Sequence, residues 1–278
     1  LIGYGKIASD NIKTINKFYK KKKFFISYEK DHFSLITKIA RKNNFKVFKS
    51  KKKKNIRKFF NSIKSKSLIV SSNNNFLFPK KIVANKNFDI INFHNSYLPF
   101  YRGRNAQIWA IFNREKFGGC SWHYITNSGL DTGPIIYRKK IKISSETTGI
   151  QLTQKCMELG SKAFTIFFKN ILKPKIKKKY YSKKIGKLYY SLDLPNDGKL
   201  DISWDINKIS AFLRCMDFKP INLFPKQYFF KNNKKYYIND YNILRTNSLK
   251  KIKKFVKSNI ILEEKKIKIK ISYGRKNN

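Results

Sequence analysis

Apolar and polar positions alternate along this chain with two periods, and the period changes at regular intervals. Leu1-Ile2-Gly3-Tyr4-Gly5 has the form of a strand end turning into a helix over Ala8–Tyr19. Lys23–Tyr28 predicts a second strand, Phe33–Arg41 an amphipathic helix, and Phe45-Lys46-Val47-Phe48 a short third strand. Lys49–Lys66 predicts a basic helix with Ile56, Phe59, Phe60 and Ile63 on one side. Ser67–Ser71 and Phe88–Phe93 are runs apolar enough for buried strands, and Asn105–Asn113 is a helix with Ile108, Trp109 and Phe112 inward. Cys120–Ile125 and Pro134–Ile143 predict a hairpin-like pair. Thr148 with Gln151 forms a capping box for a long helix to about Asn170, with Leu152, Cys156, Leu159, Ala163 and Ile166 as its core stripe. Strands alternating with helices make an α/β fold with a mostly parallel sheet.

A second pattern follows. Lys173–Lys184 is basic, contains proline and lacks periodicity, so residues 173–190 are expected to be a linker between a domain over 1–172 and a smaller one over 191–278. In the latter, Ile206, Ile209, Phe212, Leu213 and Met216 line one helix face. Tyr228–Phe230 and Tyr236–Ile238 predict a hairpin, and Ile260–Leu262 and Ile267-x-Ile269-x-Ile271 predict further strands. A short helix with several strands implies a small β-rich, barrel-like module.

Chemistry enters at the end of the Phe88–Phe93 strand. Asn92 and His94 are separated only by Phe93, so period-two alternation puts both side chains on one face. In parallel sheets ligands sit beyond the carboxyl ends of strands, which is where this pair falls. A carboxamide can donate to a developing oxyanion and an imidazole can move or stabilise a proton. Asp131 lies in a turn between Gly129 and Gly133, where it could orient His94 or accept a proton. Taken singly, such a histidine is more often structural and such an aspartate is usually a turn residue.

Composition adjusts this picture in three ways. The 278 residues carry a formal charge of +47, which ordinarily points to nucleic acid. Lysine, asparagine and isoleucine are inflated together and the lysines are spread evenly, which is read as the drift of an AT-rich genome. Non-specific binding to polyanions at low salt follows either way. The three cysteines, Cys120, Cys156 and Cys215, are scattered without metal-ligand spacing, which implies a reducing compartment and no metal. No apolar run approaches the roughly 20 residues of a membrane span, and no signal peptide is recognisable. The expectation is a cytoplasmic protein with an initiator methionine, and some of its first strand, ahead of Leu1.

Three separated words then agree in order and spacing. Asn92-Phe-His-Asn-Ser-Tyr-Leu-Pro99, Tyr101-Arg-Gly103 and Gly129-Leu-Asp-Thr-Gly-Pro-Ile135 resemble the formyltransferases that use 10-formyltetrahydrofolate. Tyr97 departs from the family loop, which has Leu there. Asp197–Trp204 resembles the start of that family's C-terminal domain. The likeness is sharp over about residues 68–137. It implies a Rossmann-like formyl-transfer domain and a small C-terminal domain similar to an oligonucleotide-binding barrel. It further implies one-carbon transfer to a primary amine, with Asn92 and His94 stabilising the oxyanion and Asp131 handling the amine proton. Ser96, Leu98, Pro99, Gly129 and Leu130 would border the folate co-substrate. Tyr101-Arg-Gly-Arg-Asn105 and Trp122-His123 look closer to enzymes acting on nucleotide-linked amino sugars than to the methionyl-tRNA enzymes, and the short Glu29–His32 connection lacks the tRNA enzymes' basic loop. The charge and second domain keep tRNA as the alternative, and a homodimer is left open. A folate-binding relative without turnover and a nucleic-acid-binding module are the non-catalytic alternatives.

Overall fold

The computed structural model describes residues 1–28, 34–172, 185–247 and 250–275. The Glu29–His32 connection and the Lys173–Lys184 part of the expected linker lie outside the described residues. Among the described residues fourteen strands and seven α-helices follow one another: β1 (Ile2–Gly3), α1 (Gly5–Phe18), β2 (Phe24–Ser27), α2 (Ser34–Lys42), β3 (Lys46–Lys49), α3 (Lys53–Ser62), β4 (Ser67–Ser72), α4 (Lys80–Val83), β5 (Phe88–His94), β6 (Arg102–Gly103), α5 (Ala106–Phe112), β7 (Phe117–Tyr124), β8 (Ile135–Lys142), α6 (Gly149–Ile171), β9 (Leu188–Tyr189), α7 (Ile206–Cys215), β10 (Tyr228–Lys231), β11 (Lys234–Arg245), β12 (Ile252–Val256), β13 (Asn259–Glu264) and β14 (Ile267–Gly274). They gather into two compact units, one of Leu1–Gly103, Gly119–Ile141 and Gln154–Leu188, the other of Arg104–Gly118, Lys142–Thr153 and Tyr189–Asn278.

The first unit is organised by a seven-stranded sheet of order β3-β2-β1-β4-β5-β7-β8. Strands β3 to β5 are parallel, and β7 returns antiparallel to β5. Strand β4 is buried from Ile69 through Ser72, as a strand covered on both faces should be. One face packs Ile2, Ile26, Ile69 and Ile90 against Ile56 and Phe60 of α3. Phe93 and Trp122 pack with Phe164, with ring centroids 5.4 and 5.1 Å apart in turn, and the Trp122 indole donates to the Gly160 carbonyl at 2.9 Å. That contact corrects the expected stripe of α6. Ile166 is 73% exposed, whereas Phe164 and Phe168 are buried, because a 3.6-residue period running from Cys156 passes through 160, 163–164 and 167–168.

Other departures are local. Helix α3 is shorter than the Lys49–Lys66 expectation because β3 runs to Lys49 and β4 claims Ser67. The single-turn helix α4 had no apolar period to betray it. Among the described residues no helix is long and apolar enough to cross a membrane.

In the second unit, Ile206, Ile209, Phe212 and Leu213 of α7 and Met216 just beyond it are all buried, and the Asp205 side chain caps the helix by accepting from the Asn207 and Lys208 amides. Its five-stranded antiparallel sheet has the order β10-β11-β14-β13-β12, the β-rich C-terminal part that was expected. Ile269 and Ile271 point inward while Lys268 and Lys270 are exposed, a clean period-two strand. β12 escaped the sequence reading because Lys253 and Lys254 interrupt its apolar alternation.

Gly160 sets a testable constraint. A methyl group there would come 2.1 Å from the Phe93 ring, which is itself buried against Trp122. Gly160→Ala should therefore destabilise the protein by about 1–3 kcal/mol, the usual cost of overpacking, read as a lowered urea midpoint. An unchanged midpoint would show that Phe93 is not held in place.

Candidate active site

The site begins as a row of polar side chains running across three strands. Register pairs Ser71 of β4 with Asn92 of β5, and Asn92 with His123 of β7; two residues on, His94 pairs with Ser121. Ser71 and His123 are buried and Asn92 is half-buried. The Ser71 hydroxyl donates to Asn92 Oδ1 at 2.6 Å, and Asn92 Nδ2 lies 3.2 Å from His123 Nε2. His123 Nδ1 stands 2.9 Å from the Tyr124 carbonyl and His94 Nε2 stands 3.0 Å from the Tyr101 carbonyl. A carbonyl only accepts, so each of those two ring nitrogens carries its hydrogen.

Asp131 completes the cluster. It adopts the left-handed conformation at φ 54°, uncommon for a residue with a side chain, in the turn that begins at Gly129. The turn is closed by hydroxyls: Thr132 Oγ1 donates to the Gly129 carbonyl at 3.0 Å and pairs with Ser128 Oγ at 2.8 Å. Gly133 is obligatory, because a Cβ there would sit 1.8 Å from the Tyr124 carbonyl oxygen. The carboxylate that results lies 3.7 Å from His94 Nδ1 through Oδ2 and 3.3 Å from His123 Nε2 through Oδ1. The Gly103 amide donates to Oδ2 at 2.8 Å.

The Tyr101–Gly103 segment ties the other two motif segments together. Tyr101 gives its carbonyl to His94, Gly103 gives its amide to Asp131, and Arg102 donates to the Leu130 carbonyl at 3.1 Å and to the Gly186 carbonyl at 2.8 Å. Burial by itself would raise the Asp131 carboxyl. The charge of His94, the hydrogen bond and charge that His123 supplies when its ring is protonated, and the Gly103 amide outweigh it and hold the group well below the ordinary carboxylate range.

Asn92, His94 and Asp131 thus stand together. The other predicted residues divide. Ser96 is buried with its hydroxyl donating to the Phe100 carbonyl at 2.8 Å; Leu98 is buried with its amide on Ser121 Oγ at 3.0 Å; Pro99 is half-buried. These three shape the loop behind His94. Gly129 and Leu130 are exposed. The sequence reading had no chemical role for His123, Ser71, Asn74 or Arg102. His123 did leave a signal, a polar residue inside the otherwise apolar Cys120–Ile125 run. Among the described residues no His, Cys, Asp and Glu cluster is arranged to hold a metal ion. The three cysteines are free and buried, and burial pushes the Cys120 thiol up to about 12, which leaves it inert as a nucleophile at neutral pH.

The depressed carboxyl has a consequence for stability. Its folded value lies below the unfolded value of about 3.9, so Asp131 stabilises the fold above that pH and the contribution is lost as pH falls through the folded value. Wild-type protein should exceed Asp131→Asn in urea midpoint near neutrality, and the difference should shrink below about pH 4. A difference independent of pH would mean the charge is not what holds this turn.

A model of the family described as formyl transferase matches residues 8–166. GDP-perosamine N-formyltransferase of Brucella melitensis is 28% identical over 190 residues, 64% of this chain and 66% of that protein. Methionyl-tRNA formyltransferase of Thermodesulfovibrio yellowstonii is 34% identical over 143 residues, 50% of this chain and 44% of that protein. The chain therefore spans just under two thirds of the first relative's length and under half of the second's. Among solved structures, a sugar 3N-formyl transferase in the presence of dTDP and 5-N-formyl-THF matches with a TM-score of 0.76 at 20% identity, covering 99% of this chain and 97% of that one. The N-formyltransferase of Helicobacter canadensis, in complex with folinic acid and dTDP-3-aminofucose, matches with a TM-score of 0.75 at 19% identity, covering 98% of each. At such identities these two likenesses concern the fold. The family match extends over more than half of the chain, and together with the cluster of Asn92, His94 and Asp131 it makes this protein a member of the formyl transferase family.

Proposed function

We propose that this protein transfers a formyl group from 10-formyltetrahydrofolate to the primary amine of a nucleotide-linked amino sugar. The observation that carries the proposal is the half-buried carboxylate Asp131 set against His94, with the Asn92 carboxamide in the same row of the sheet. Relatives and neighbours named for sugar N-formylation support the choice of acceptor. We assign residues 1–172 to catalysis and 191–278 to a small C-terminal domain, and the site of action to the cytoplasm, where folate co-substrates and thiol-reducing conditions coexist.

In this reading amine attack on the formyl carbon forms the new C–N bond and puts negative charge on the formyl oxygen. Asn92 has a second N–H beyond the one facing His123, and that N–H takes the charge together with His94. One well-placed donor of this kind is worth roughly 3–4 kcal/mol. Asp131, ionised well below neutral pH, draws the amine proton toward itself and shares it with the imidazole of His123 beside it. The proton is returned to the leaving nitrogen of the folate as its C–N bond breaks. Ser96, Leu98 and Pro99 hold the loop from below, and Gly129 and Leu130 border the co-substrate.

His94→Ala should abolish turnover while leaving the rise in melting temperature on adding 5-formyltetrahydrofolate intact, since ligand binding to the folded state alone raises stability. No such rise in folded wild-type protein would sink the proposal. Relatives named methionyl-tRNA formyltransferase keep a second acceptor in view. A tRNA substrate would make kcat/KM fall steeply with salt, through loss of phosphate contacts, whereas a sugar nucleotide with two phosphates should give a shallow slope. Turnover of an amino-sugar nucleotide with weak salt dependence is expected; efficient formylation of methionyl-tRNA at physiological salt would overturn the choice.

A further inference from the structure

The amide of Phe76 donates to Asn74 Oδ1 at 2.6 Å. A backbone amide can only donate, so this bond fixes which end of the Asn74 carboxamide is oxygen. Its nitrogen then donates to the Ser71 hydroxyl, which, having accepted, donates onward to Asn92 Oδ1 at 2.6 Å. Asn92 Nδ2 is thereby the end that faces His123 Nε2 at 3.2 Å, and His123 Nδ1–H ends the chain on the Tyr124 carbonyl, which can only accept. Five hydrogen bonds run one way from a main-chain donor to a main-chain acceptor, and no link can reverse alone.

We propose that Asn74 and Ser71 are positioning residues of the reaction, holding Asn92 with its N–H edge toward the reacting oxygen and holding His123 in the Nδ1–H form, so that His123 Nε2 is a bare acceptor opposite Asp131 Oδ1. The inference rests on formyl transfer at Asn92, His94 and Asp131. Nε2 and Oδ1 are 3.3 Å apart, two acceptors with room for one shared proton. The proton released by the attacking amine bridges them, and it leaves again to the folate nitrogen as the old C–N bond breaks and its electron pair returns to that nitrogen. A carboxylate alone is a weak base at neutral pH, and a neutral imidazole nitrogen beside it is the better seat. Ser71, the middle of the chain, is fully buried, so water cannot readily substitute for its link to Asn92.

Asn74→Asp tests this. The carboxylate still accepts from the Phe76 amide but cannot donate, so the Ser71 hydrogen turns toward it, the Asn92 carboxamide turns over, and His123 must carry hydrogen on Nε2 as well as on Nδ1, which the Tyr124 carbonyl still holds. The protein has three histidines, His32, His94 and His123, so nitrogen NMR of the 15N-histidine-labelled full chain resolves each ring, with a His123→Gln spectrum for assignment. Expected are a neutral Nδ1–H form of His123 in the wild type, a ring with hydrogen on both nitrogens in Asn74→Asp, and a fall in kcat of about 10²-fold with both KM values held. If Asn74→Asp does not fold, Ser71→Ala breaks the same chain and carries the same comparison. A wild-type His123 with hydrogen on Nε2, or a variant whose His123 signals do not move, overturns the chain. A changed protonation with unchanged kcat overturns the positioning role. A changed protonation in a protein whose wild type forms no N-formyl product supports the chain and faults the proposed activity instead.

Discussion

A carboxylate taken out of water is tolerable only where opposite charge and hydrogen bonds replace its hydration. Asp131 meets that requirement through two imidazoles and one amide, and those three partners come from three separate stretches: β5, β7 and the Tyr101–Gly103 segment. Because the partners are far apart in sequence, satisfying this one charge requires that β5 and β7 be in register, that the loop after His94 return to the sheet, and that the Asn127–Gly133 turn fold back. The site's geometry is in that sense a condition of folding in the first unit.

The sheet makes the condition easy to meet. Its parallel strands bring Ser71 and Asn92 to the same level, and antiparallel β7 delivers His123 to it from the opposite direction. A polar row inside so apolar a sheet is stable because each member is hydrogen-bonded to the next. Beneath it the Phe93–Trp122–Phe164 aromatics fix β5 and β7 against α6, so the polar row inherits its rigidity from an apolar layer on the other side of the same strands.

Much of this was legible in the sequence because it is local. The apolar runs of β4 and β5, the same-face placement of Asn92 and His94, the capping box of α6 and the stripe of α7 depend only on near neighbours along the chain. The capping box, for example, is realised by Thr148 and Gln151 exchanging bonds at 3.0 and 3.4 Å. His123 was missed because its role depends on the register of β7 against β5, which no local pattern encodes. Ser71 and Asn74 were missed because a serine at a strand end and an asparagine in a polar run look like surface. The lysine content worked against the reading elsewhere: in β12 and α4 it fills exposed positions and flattens the contrast between faces.

The Tyr101–Gly103 segment reaches the two ends of the site through main-chain atoms, the Tyr101 carbonyl and the Gly103 amide. Such contacts are indifferent to which side chains the segment carries, provided the backbone can hold the left-handed turn at Tyr101. They are intolerant of a change in length. Between His94 and Gly103 the chain can therefore exchange its exposed residues but cannot gain or lose one without moving either the carbonyl or the amide off its target. Variation that reshapes the surroundings of the cluster without dispersing it must then come from loops that do not bridge His94 and Asp131.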